Sequence, residues 1–132
     1  MRHQNIISSI FALALLLIVG TACNQYGTKL EYNGGEVYYT DKVTETEAKK
    51  LGEYLVKEEF FDGKPKTVQL DKAGTVYQFR MVVQKEKQSD EQTIELMKVF
   101  AGQLSSDVFN DAPVEMHVCD ESLVTVRVVK PE

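Results

Sequence analysis

The sequence predicts an α+β domain: a two-layer sandwich of a mostly antiparallel sheet with two helices on one face, in the order ββ-α-ββ-α-ββ. Three observations predict it. Two stretches with helical spacing, each opened by a capping signature, alternate with pairs of strand-like runs. The strand-like runs pair across short turns, which builds hairpins and disfavours an all-parallel sheet. Each helix has one apolar stripe and each later strand one apolar face, and two layers bury both most economically. A ferredoxin-like core with an added hairpin is the nearest named architecture.

The elements follow in order. Lys29–Tyr32 and Glu36–Thr40 flank Asn33-Gly34-Gly35, and Asn-Gly between strand-like runs signals a type I′ hairpin turn. Thr44-Glu45-Thr46-Glu47 is a capping box, and Ala48, Leu51, Leu55, Val56 and Phe60 recur at helical spacing, giving a helix over 45–61 that stops at Asp62-Gly63. Gly52 lies on the apolar side of that helix, where it suggests close packing. Runs 67–71 and 75–84 form a second hairpin turning at Lys72-Ala73-Gly74. Ser89-Asp90-Glu91-Gln92 reads as another capping box, followed by Ile94, Met97, Ala101, Leu104 and Val108 on a helix over 90–109. Val114–Cys119 and Leu123–Val129 make the third hairpin across Asp120-Glu121-Ser122. A weak αββ repeat with a period of about 47 residues places Arg80 and Arg127 at matching positions.

The chain has 132 residues, 15 Lys+Arg, 20 Asp+Glu and a formal net charge of −5. One domain fits this length, and the acidic balance argues against binding a nucleic-acid backbone. Residues 1–22 stand apart. Arg2 and His3 precede the apolar run Phe11–Val19, and Gly20-Thr21-Ala22-Cys23 follows, in the manner of a secretory signal peptide. The end of this segment resembles the lipobox of bacterial lipoproteins. That resemblance implies cleavage before Cys23, lipid on its sulfur, and export to the cell envelope with anchorage in a membrane. Gly20 and Ala22 also satisfy the small-x-small rule of ordinary signal peptidase, and an uncleaved anchor is the third alternative. The expected organisation is a signal peptide over 1–22, a lipidated Cys and linker over 23–28, and a single domain over 29–130. Without residues 1–22 the chain keeps 110 residues and a net charge of −6. Cys23 and Cys119 are the sole cysteines, so a lipidated Cys23 leaves no intrachain disulfide.

If both helices cover one face, the pattern places Gln69, Asp71, Gln78, Arg80, Val82, Glu115, His117, Cys119, Thr125, Arg127 and Val129 on the other. The default for such a surface is a solvated sheet face. Its mixture of polar and apolar groups equally suits docking of an envelope protein, a peptide or a glycan, with Arg80 and Arg127 as polar anchors helped by His117, Glu115 and Gln78. Glu115, His117 and Cys119 share one strand face at spacing two, but a zinc site needs three or four ligands and no further His or Cys follows residue 23, so neither metal nor cofactor is expected. Cys119 and His117 do not have the spacing of a nucleophile–base pair, and no phosphate loop, HExxH or GxSxG occurs. The reading is a non-catalytic interaction module. The alternative is a small secreted enzyme whose site no motif encodes. The VYYT strand, the FFDG helix end, VQL…YQFRMVV and APVE…H-C also resemble envelope proteins of Gram-negative anaerobes. This second resemblance implies domain boundaries and no activity.

Overall fold

The computed structural model describes residues 26–131. They form an α+β domain whose six strands make one sheet. The elements are β1 (Thr28–Tyr32), β2 (Gly35–Tyr39), α1 (Glu45–Lys57), β3 (Lys66–Ala73), β4 (Val76–Val82), a 3-10 turn (Lys85–Lys87), α2 (Glu91–Asp107), β5 (Val114–Cys119) and β6 (Thr125–Val129). Thr28 opens β1, so the segment expected to be linker already belongs to the domain at that point.

Spatial order in the sheet follows sequence order, β1 to β6. The three hairpins are antiparallel, while β2·β3 and β4·β5 are parallel and bridged by α1 and α2. A ferredoxin-like core interleaves its strands, so that expectation fails. Each helical crossover returns the chain beside the strand it just left, and no strand is skipped. α1 lies against β1 and β2, α2 against β5 and more lightly β6. One buried cluster joins Leu51 and Leu55 of α1, Met97, Ala101 and Leu104 of α2, and Val37, Val68, Leu70, Phe79, Met116 and Val118 of the strands. Alternation along the strands explains this set, since Val37, Val68, Met81 and Val118 are linked in one cross-strand row.

Local chemistry accounts for the element ends. Asn33 and Gly34 take φ of 42° and 85°, as a type I′ turn requires. Thr44 and Glu47 form the full capping box. α1 stops at Lys57, four residues before the expected end, because Glu59 adopts φ 61°. Its N–H bonds the Val56 carbonyl, and the Phe61 N–H closes on Leu55 at 3.0 Å. This early reversal turns Phe61 into the core, 1% exposed, and sets Phe60 against Phe100, whereas Val56 stays 37% exposed. Gly52 is indispensable for close packing: a Cβ there would overlap the Tyr32 ring. The β3–β4 turn is tighter than expected, with Ala73 still paired to Val76 across Gly74-Thr75. α2 is capped by Asp90 rather than Ser89: the Asp90 carboxylate accepts the Thr93 N–H at 3.0 Å and its hydroxyl at 2.7 Å. The preceding 3-10 turn, in which the Asp90 N–H bonds the Lys87 carbonyl, shifts the start by that one residue.

Candidate docking face and groove

Strand register assembles the face away from the core cluster. One row runs Tyr38, Gln69, Arg80, His117, Val128, and the next runs Asp71, Gln78, Glu115. Val82, Cys119 and Thr125 form a third. Arg80, His117, Glu115 and Gln78 are therefore brought together, as the sequence pattern predicts.

Arg127 is not with them. It pairs with Val118, a core-side position, and Val129 pairs with Met116 and is itself buried in the core. The cause is a register shift between Val118 and Cys119: Cys119 pairs with Thr125, and Val126 is the extra residue. A bulge of this kind reverses the faces on one side of it. Two expectations, Arg127 and Val129 on the Arg80 face, are corrected by that one residue.

The middle of the face is closed rather than solvated. Gln69 and His117 are buried, and Cys119 is fully so. Tyr26 lies across β2 and β3, its carbonyl accepting from Gln69 Nε2 at 2.8 Å and its ring edge-on to Tyr38 at 5.5 Å. The β5–β6 loop folds in from the other end. Asp120 organises it by accepting the Ser122 and Val124 N–H groups through its carboxylate, and Leu123 takes φ 60° and is buried. The Leu123 carbonyl accepts from Arg80 Nη2 at 2.5 Å, while Arg80 Nε is buried without a hydrogen-bond partner among the described residues. Arg80 is thus a strut under the loop, not a free anchor.

His117 Nδ1 meets Thr125 Oγ1 at 3.1 Å and Nε2 meets Glu115 Oε1 at 3.4 Å. Burial pushes the His117 pKa below its ordinary value; the Glu115 hydrogen bond opposes this and the Arg80 charge adds to it. The Cys119 thiol donates to the His117 backbone carbonyl at 3.4 Å, not to the ring, and burial raises its pKa despite the Arg80 charge. A buried thiol held in its neutral form is a poor nucleophile. No group of three metal-ligating side chains occurs among the described residues.

A groove of about 1080 Å³ lies at one end of the sheet, lined by Tyr38 and Val82 of this face and by Phe60 and Met81 of the core side. Its lining includes Tyr26 and Tyr38, Val82 and Lys85, and Glu121 and Leu123 of the β5–β6 loop. Lys66, Lys85, Glu36, Asp120 and Glu121 also line it, so its lining is mixed in charge. Tyr26 falls in the segment expected to be linker, and no sequence pattern announces the positive φ of Leu123. The aromatic character of Tyr26 in a short polar stretch was the one available signal.

The family profile AF_1994_N, described as a family N-terminal domain, matches residues 29–130. The chain belongs to this family. No curated protein and no solved structure matches it. The AF_1994_N match runs from within β1 to just past β6, so every groove residue except Tyr26 falls inside it.

Proposed function

We propose that this protein is a lipid-anchored component of a bacterial cell envelope that binds another macromolecule and performs no chemistry of its own. The anchor is lipid on Cys23 after removal of residues 1–22, positions outside the described residues. Its support is the apolar run ending in Gly-Thr-Ala-Cys. The domain is read as two layers, with both helices over one face of the sheet. The support is that α1 and α2 share one buried cluster with alternate residues of the strands. The opposite face is then the working face.

The observation that carries the docking reading is the groove of about 1080 Å³, with aromatic side chains and both charges in its lining. Mixed apolar and polar lining suits a macromolecular partner such as an envelope protein, a peptide or a glycan. Tyr26, in its lining, follows Cys23 by three residues, a span of at most about 11 Å. An anchored chain would therefore hold the groove beside the bilayer, where envelope partners are. Against the secreted-enzyme alternative, Cys119 and His117 are engaged with other groups and do not pair through their side chains.

A photo-crosslinker at Lys85, on the groove, tests this in cells, with one at Lys50 on the exposed side of α1 as control. The reading expects one discrete adduct from position 85 and none from position 50, in protein whose intact mass begins at an acylated Cys23. Equal labelling from both positions contradicts the docking site. A mass retaining residues 1–22, or lacking acyl groups, contradicts the anchor.

A further inference from the structure

The two edges of the sheet differ in kind. β1 presents Lys29 and Glu31, 3.4 Å apart, with Lys29 also 3.5 Å from Glu36. Paired charges along an edge deter a further strand. β6 presents Val126 and Val128, 50% and 43% exposed, with Val124 at 56% just before them. Val and Thr suit extended backbone, and an edge strand leaves alternate N–H and C=O groups unpaired. Arg127 is exposed on the other side of the strand and makes no hydrogen bond, ion pair or ring contact among the described residues. From Leu123 to Lys130 the chain has two cations and no acid, on a protein of net charge −5. Lys130 lies 3.7 Å from Glu115, which leaves Arg127 as the uncompensated charge of the strip.

We propose that β6 accepts an extended acidic peptide segment as a seventh strand. The partner alternates apolar side chains with carboxylates: the apolar ones cover Val126 and Val128, and a carboxylate meets Arg127 on the other side of the strand. Backbone pairing supplies affinity in strand addition, and alternate side chains supply specificity. A guanidinium grips a carboxylate through two parallel hydrogen bonds, which selects an acidic strand over a neutral or basic one. The stretch Arg127–Val129 keeps unbroken register with β5 beyond the bulge, so it is the part of the edge to which an added strand aligns. This site borders the groove, which Val126 also lines, and it does not depend on the anchor.

The test uses the full chain in detergent micelles and two synthetic peptides, acetyl-TVEVEVT-amide and its lysine counterpart acetyl-TVKVKVT-amide, followed by backbone-amide NMR. The acidic peptide should shift the Thr125–Val129 amides and bind about tenfold more tightly than the basic one. Arg127→Glu should reverse that order, and Arg127→Gln should abolish the preference. Circular dichroism confirms that both variants are folded. Equal binding of the two peptides, shifts confined to groove residues outside Thr125–Val129, or no saturable binding overturns the proposal. So does sedimentation showing that a second copy of the chain occupies β6 in the absence of peptide.

Discussion

The α1-β3-β4 unit and the α2-β5-β6 unit carry similar sequence signatures but do different things with them. In the first, a two-residue turn at Gly74-Thr75 keeps β3 and β4 in unbroken register, and Arg80 points away from the core. In the second, the longer connection over residues 120–124 is followed by a bulge, and Arg127 emerges on the core side. Arg80 is bound to the Leu123 carbonyl under that same loop, whereas Arg127 is exposed at the sheet edge. Sequence likeness between units thus fixes which strands form, but one extra residue decides what each strand displays. The first unit became the middle of the sheet, and the second supplies both part of the groove lining and an open edge.

The largest effects should be common to the two units, because they share one core. Leu51→Ala and Leu104→Ala, both fully buried, should each destabilise by about 2–5 kcal/mol in urea denaturation. A loss below about 0.5 kcal/mol for one of them, as at surface sites, would mean that its helix does not share the core.

The helix glycines should separate the units. Gly52→Ala forces a methyl group into the Tyr32 ring and should cost about 1–3 kcal/mol. Gly102, in α2, has open space where a Cβ would go, so Gly102→Ala should gain up to about 1 kcal/mol from helix propensity. Thermal melts of the two variants moving in the same direction would contradict this asymmetry.

Between pH 7.5 and pH 5.5 a pH dependence should reside in the second unit. His117 has a depressed pKa in the folded state, so folding favours its neutral form. Its contribution is fully present above the unfolded value of about 6.5 and is lost as pH falls from there through the lower folded value. Urea midpoints at pH 7.5 and pH 5.5 should therefore diverge more in the parent than in His117→Gln. Identical divergence in both would place the titrating group elsewhere.

The class of the domain, the hairpins and the helix cores were legible in the sequence because periodicity and capping are local signals. Thr44 with Glu47, Asn33-Gly34, and the series Ile94 to Val108 each carry their structure in adjacent residues. The early end of α1 was not legible, since Glu59 reverses the chain to bury Phe61 and pack the half-buried Phe60 against the core, a tertiary demand on a residue with no turn preference of its own. Asp90 displaced Ser89 as the cap for a similar reason: the preceding 3-10 turn sets the entry. Nine of the eleven residues expected on the docking face are there, and Arg127 and Val129 are not, because alternation cannot count a bulge. The covering of that face by Tyr26 and Leu123 depends on long-range bonds to Gln69 and Arg80, which no local pattern encodes.

The smallest effects test the central contrast most directly: urea denaturation of Arg80→Ala beside Arg127→Ala. Removing Arg80 strips the Leu123 carbonyl of its charged donor beneath the loop and should cost about 1–3 kcal/mol. Removing Arg127, exposed and without a side-chain partner among the described residues, should change stability by less than about 0.5 kcal/mol. Equal losses for the two would contradict the divergence of the units and return both arginines to one face.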